Sequence, residues 1–114
     1  MIEGAKMTKK TKMNGNEVKE VPLRHDGEVF AAMVDGLRMA VYRDGGVEFR
    51  DAQGRIHREG GPAVLWPDGS LTWCRHGLTH RVGGPAVIRP SGEMEWWENG
   101  KLLRRRRGVE GGSA

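Results

Sequence analysis

Short apolar stretches alternate with polar ones through the middle of this chain, and glycine-bearing pairs interrupt them at close intervals. "EVFAAMV" (28–34), "LRMAVYR" (37–43) and "GVEFR" (46–50) follow the pairs Asp26-Gly27, Asp35-Gly36 and Asp44-Gly45. Segments of this length are too short for helices. Their β-branched and aromatic content predicts strands. Asp-Gly between such runs predicts a hairpin, because Gly tolerates positive φ and Asp bonds its own backbone.

The same pattern then recurs at a fixed distance. Gly54, His57, Arg58, Gly61, Pro62, Ala63, Val64, Pro67, Gly69, Trp73 and Gly77 are matched 23 residues later by Gly77, His80, Arg81, Gly84, Pro85, Ala86, Val87, Pro90, Gly92, Trp96 and Gly100. A third copy opens with Gly100 and Arg104, with Leu103 in the histidine place. An earlier, eroded copy carries Ala40 and Val41, and its Phe49 matches Trp73 only after a slip of one residue. A fixed period in this range signals a repeat architecture. Each unit reads as strand, turn, strand, turn: "PAVLW", "PDG", "SLTWCR", "HG", then "PAVIR", "PSG", "EMEWWE", "NG". Leu71 and Trp73, like Met94 and Trp96, fall on one face of their strands. Ser70, Thr72 and Cys74, and Glu93, Glu95 and Trp97, fall on the other. The fold class expected is all-β, a single-layer antiparallel meander with one apolar face.

The period, the "W-x-x-x-G-x-x-H-R" run and the following "P-x-G-x-x-x-W" resemble MORN repeats. The variant in which "HR-x-x-GPA" and "DG" recur is similar to proteins of bacteria, phages and giant viruses, including those described as YwqK-type antitoxin components. The resemblance covers roughly residues 54–104, with a degenerate extension toward Asp26. It implies an elongated array of 23-residue hairpins that acts through protein–protein contacts, dimerisation or scaffolding, and sometimes lipid contact. The atypical first and last units, with "RRRRG" in place of "HR-x-x-GPA", read as caps.

Composition adds limits to this picture. The 18 glycines are roughly twice the usual share of about 7%, yet they sit at repeated turn positions rather than in a low-complexity tract. No apolar run approaches the ~18 residues that span a bilayer. The lysine-bearing first residues contain no apolar core of a secretory signal. The single cysteine, Cys74, excludes an internal disulfide, and a cytoplasmic setting is expected. The domain boundaries expected are a flexible basic arm over 1–21, a hairpin domain over 22–104 with clear repeats from 54, and a basic tail over 105–114.

Charge is concentrated at the ends. Residues 101–114 carry five Lys/Arg and one Asp/Glu, net +4, which equals the net charge of the whole chain. Residues 39–100 carry seven and eight, net −1. A nucleic-acid reader usually carries its basic footprint on a folded face, so the repeat body does not read as one. The run Arg104, Arg105, Arg106 and Arg107 reads either as a solvated tail or as a contact for nucleic acid, anionic lipid or an acidic partner.

Candidate chemistry shrinks once the repeat is recognised. His57 and His80 occupy one slot in successive units and read, with Arg58 and Arg81, as structural residues that brace turns. Cys74 and His76 do not complete a zinc set with them, because Trp97 and Asn99 stand at their repeat-equivalent positions. Gly60, Gly61, Gly83 and Gly84 lack the Lys-Ser/Thr and the helix of a phosphate loop. Trp73 and Trp96 are in register and are expected in the core. Trp66 and Trp97 are not: Trp66 aligns with Arg89, and Trp97 with Cys74. Unrepeated aromatics off the core face mark a binding surface, so Trp66, Trp97 and Arg89 join Arg104–Arg107 as binding candidates. No catalytic residue, metal or cofactor is expected. The function expected is non-catalytic binding of another protein, with homodimerisation, as in a small phage or mobile-element accessory protein that acts on a host or defence factor. Nucleic-acid or anionic-membrane binding through the basic termini is the first alternative, and an antitoxin-like partnership with a neighbouring toxin the second.

Overall fold

A computed structural model describes residues 10–13 and 16–108. Among these there is no helix, and hence none able to cross a membrane. The strands are β1 (Lys10–Met13), β2 (Asn16–Glu20), β3 (Glu28–Val34), β4 (Leu37–Tyr42), β5 (Val47–Arg50), β6 (Val64–Leu65), β7 (Leu71–Thr72), β8 (Cys74–Arg75), β9 (Leu78–Thr79), β10 (Val87–Ile88), β11 (Met94–Glu98) and β12 (Lys101–Arg106). Ten of them form one antiparallel sheet in the order β1-β2-β3-β4-β5-β6-β7-β10-β11-β12. β8 and β9 pair only with each other. The molecule measures 61 × 27 × 27 Å.

Two-residue turns join three of the hairpins, and all have both residues at positive φ: Asp35-Gly36 (51° and 81°), His76-Gly77 (47° and 87°) and Asn99-Gly100 (49° and 82°). This is the turn whose twist matches that of paired strands.

Directly paired residues share a face, so the register fixes three rows across the sheet. Phe30, Val41, Val47, Leu65, Leu71, Ile88 and Met94 form an apolar row, half-buried throughout. The next row, on the opposite face, runs Ala31, Ala40, Glu48, Val64, Thr72, Val87, Glu95, Arg105. The third returns to the apolar face with Met39 and Phe49, and at the far end Trp96 opposite Arg104.

On that face one contact recurs. The Arg58 guanidinium lies 4.1 Å from the Phe49 ring, Arg81 4.0 Å from Trp73, and Arg104 4.0 Å from Trp96. Arg58 donates to the Pro62 carbonyl at 3.1 Å and Arg81 to the Pro85 carbonyl at 2.9 Å. Glycine backbone lies close against two of the three guanidinium groups, those of Arg58 and Arg81. A Cβ on Gly61 would stand 3.1 Å from Arg58 Cζ, and one on Gly84 2.9 Å from Arg81 Cζ. Backbone bonds recur likewise at 23 residues: Gly77 N–H to Ile56 O and Gly100 N–H to Thr79 O, Arg58 N–H to Cys74 O and Arg81 N–H to Trp97 O.

Several expectations are corrected. Trp73 and Trp96 are half-buried rather than core, because each ring is lidded by an arginine and not by apolar side chains. The deepest burial falls on small residues, with Ala32, Ala63 and Ala86 at 0% exposure. The face expected to be polar and exposed buries Ser70, Cys74 and Glu95. "SLTWCR" is two strands, since the chain leaves the main sheet after Trp73 to form the β8–β9 hairpin, whose tip bonds to Ile56. The part of the supposed arm over residues 16–20 is β2, with Val18 buried opposite Val34. At the other end β12 takes in Arg105 and Arg106, assigned above to the tail, because they pair with Glu95 and Met94. Residues 1–9 and 109–114 lie outside the described residues. Phe49 departs from the period because eight residues separate it from His57 and seven separate Trp73 from His80. The extra one lies in the longer turn over 51–54, held by Asp51 accepting from the Gln53 and Arg55 amides.

At the amino-terminal end, Arg38 donates to both oxygens of buried Glu28, at 2.9 and 3.0 Å, and to the Pro22 carbonyl at 2.8 Å. The Arg38 hydrogen bonds hold the Glu28 carboxyl down at about 2 against burial, which raises it. A depressed carboxyl stabilises the fold above its unfolded value near 4.5, and that contribution disappears as pH falls toward 2. Thermal unfolding followed from pH 7 to 2 is expected to show Glu28→Gln losing much less stability than wild type over that window.

A second measurement addresses the sandwiched guanidinium. Gly84→Ala is expected to cost about 1–3 kcal/mol in urea unfolding, because Arg81 must shift from the Trp73 ring and the Pro85 carbonyl to admit the methyl group. In an Arg81→Ala background the same change is expected to cost far less.

Candidate binding groove

The histidines of the repeated slot act on backbone. His57 Nδ1 accepts the His76 N–H at 2.9 Å, and His80 Nδ1 accepts the Asn99 N–H at 2.9 Å. Each imidazole thereby caps the first residue of a tight turn, where a left-handed residue leaves its amide without a ladder partner. Asp51, His57 and His76 bring ligand-type atoms within 4.8 Å of one another. Their geometry does not suit a metal ion. The two imidazoles stack at 4.1 Å and 9°, so their in-plane lone pairs run in near-parallel planes instead of converging at the ~2.0–2.1 Å of a zinc–nitrogen bond. His57 Nδ1 is already occupied, and the Arg55 guanidinium lies 3.3 Å from His76 and 2.9 Å from Asp51.

The unrepeated residues gather elsewhere, on the face opposite the stacked arginines. Trp66, Arg89 and Trp97 line one groove of about 380 Å³, with Thr72 and Val87 between them. Trp66 is also a wall of a neighbouring cleft of about 460 Å³, lined by Tyr42, Glu48, Arg50 and Val64. Thr72 and Thr79 border both, so the two hollows adjoin along Trp66. Trp66 stands on the turn Pro67-Asp68-Gly69, closed by the Gly69 N–H to the Trp66 carbonyl and by the Ser70 N–H to Asp68 Oδ1. Its side chain therefore projects beside the strand end, 49% exposed.

Polar atoms along this face are tied to one another. Trp66 Nε1 donates to Thr72 Oγ1 at 2.9 Å, and Trp97 Nε1 to Glu95 Oε1 at 2.8 Å. Glu95, whose side chain is 5% exposed, also accepts from Arg89 at 3.3 Å and Arg105 at 3.2 Å. Burial alone raises its carboxyl. The bonds from Trp97 and Arg89 and the charges of Arg89 and Arg105 outweigh that and hold it below the usual carboxylate range. Tyr42 donates to Glu48 at 2.7 Å, and burial, then this bond, push its hydroxyl up to about 12. Burial raises the Cys74 thiol, keeping it protonated.

Of the candidates read from the sequence, Trp66, Trp97 and Arg89 meet in one groove, and Arg105 joins them through Glu95. Arg104 does not, since it lies over Trp96 on the other face, and Arg106 pairs opposite Met94 on that face too. Arg107 follows the end of β12 and is exposed. Tyr42, Glu48, Arg50, Thr79 and Glu95 escaped the sequence reading. Glu95 and Arg89 carried a usable signal: both depart from the polar and aromatic residues that the preceding unit has there, Thr72 and Trp66.

Comparison of the chain with protein-family models, with curated proteins and with solved structures finds no match.

Glu95→Gln keeps the side-chain shape but removes the charge shared by two arginines and an indole. It is expected to lower stability by about 1–3 kcal/mol in urea unfolding, whereas exposed Trp66→Ala is expected to change it by less than about 1 kcal/mol.

Proposed function

We propose that this chain is a non-catalytic module that binds another protein, built as a single-layer meander of 23-residue MORN-like hairpins. The observation that carries the reading is that residues departing from the 23-residue pattern converge. Trp66, Arg89 and Trp97 line one groove, while the repeated His, Arg and Gly positions are spent on turns and stacking. Trp, Tyr and Arg are the side chains that most often anchor protein interfaces. The titratable groups along the groove are engaged in pairs, with Tyr42 and Arg50 on Glu48, and Arg89 and Arg105 on Glu95. Side chains so engaged are held by one another and not aimed at a reacting atom, which supports binding over catalysis.

The opposite face supports self-association. Its half-buried apolar row, from Phe30 to Met94, crosses seven strands. At the ~4.8 Å spacing of paired strands this stripe is about 29 Å long. A homodimer joined by these rows leaves both grooves facing outward. The resemblance to phage and bacterial proteins favours a small accessory role acting on a host or defence factor.

The test is affinity capture from the native host with wild type and with the Trp66→Ala, Trp97→Ala double variant. Proteins held by wild type and lost from the variant are the expected result. Identical sets on both, or no protein on either, would remove this reading.

A further inference from the structure

We infer that the groove between Trp66 and Trp97 takes an extended peptide segment of the partner in which an apolar side chain lies next to acidic residues. The inference rests on the protein-binding reading above and adds the chemistry of what is bound.

The apolar part follows from the indoles. Both N–H groups are already donated within the chain, to Thr72 and to Glu95. The rings are thus held in place and offer faces, not hydrogen bonds. Between them lies Val87, with the methyl-bearing Thr72 beside it. A volume of about 380 Å³ sits at the small end of the roughly 300–1,000 Å³ of ligand pockets. That suits one or two side chains, not a folded surface.

The acidic part follows from what borders the groove. Arg89 and Arg105 come from different segments and converge on Glu95, and their Nε atoms lie 3.2 and 3.5 Å from Glu93. Those contacts use only Nε of Arg105, so both its terminal nitrogens are uncommitted among the described residues. Arg89 and Arg105 side chains are 44% and 54% exposed, open to a carboxylate arriving from solvent. Beyond them lie Lys101, Arg104, Arg106 and Arg107, all exposed. The field at this end of the sheet is positive and draws an acidic segment in.

A polynucleotide has the same two properties, stacking faces and negative charge. It fits less well, because a phosphate backbone following the trough past Trp66 would meet Asp44 and Glu48 in one hollow and Asp68 in the other. A peptide places its carboxylates at one end only.

The experiment presents the full chain to a random peptide library displayed on phage. The selected peptides, and versions with each Asp and Glu replaced by Ala, are then titrated by fluorescence anisotropy. Wild type, Trp66→Ala and Arg105→Gln are compared, with a single-stranded oligothymidine as a separate probe. The expected motif is an apolar residue with Asp or Glu within three positions. Arg105→Gln is expected to weaken the acidic peptide roughly tenfold and leave its alanine version unchanged, and Trp66→Ala to weaken both. Arg105 also holds buried Glu95, so unchanged binding of the alanine version by Arg105→Gln is the control that shows the groove intact in that variant.

Peptides that need Trp66 but show no acidic preference would overturn the inference and leave the protein-binding reading standing. No selected peptide, or none sensitive to Trp66, would overturn both. Oligothymidine binding that is lost in Trp66→Ala would also overturn it and assign the groove to nucleic acid.

Discussion

An arginine pressed between an aromatic ring and a glycine backbone organises this molecule. The ring attracts the cation through its quadrupole, and the proline carbonyl takes one of its N–H groups. The glycine lets the chain pass close to the flat guanidinium, at a distance a Cβ permits only if the arginine shifts. Ring, arginine and glycine are thus brought into one contact that joins a strand of one hairpin to the loop of the next. The largest side chains need no deep core, and the alanines at 63 and 86 are buried because the loops pass so close. With no helix packed against it among the described residues, the sheet would otherwise have little to hold it.

The groove exists because the other face is free of that constraint. With the ladder of arginines and rings on one side, the opposite side tolerates different residues in successive units. Tryptophan at 66 stands where the next unit has arginine at 89, and cysteine at 74 where the next has tryptophan at 97. Buried charge on this face is tolerated through multiple bonds to each carboxylate, as at Glu28 and Glu95. A buried ion with this many partners avoids most of the desolvation cost of an isolated one.

Turns were the most legible part of the chain. Asp35-Gly36 and Asn99-Gly100 carry their backbone geometry in their composition, and the strands at 28–34 and 37–42 follow from the turns that bound them. The histidines at 57 and 80 were legible as braces because they recur. β2 was not, since one valine among lysines and glutamates gives no alternation, and its burial depends on Val34 sixteen residues away. Nor was the break after Trp73: "SLTWCR" alternates like one strand, and only the bond between the β8–β9 tip and Ile56 shows why it divides. Among the binding residues, the tryptophans stood out by breaking the period, and their grouping with Arg89 follows from the register. Glu95 looked solvent-facing in a polar alternation, and its burial depends on arginines brought from positions 89 and 105.

The order of strands in the main sheet follows the order of the chain, with only the β8–β9 hairpin set aside. The longest connections that pairing must close are those over 51–63 and 73–86, so loop-closure entropy stays modest at each step. Each hairpin of the main sheet can then form on contacts with its neighbours along the chain. The recurring contacts lie on one face and the groove on the other, so a change of residue at 66 or 89 alters the groove and leaves the stacked arginines in place.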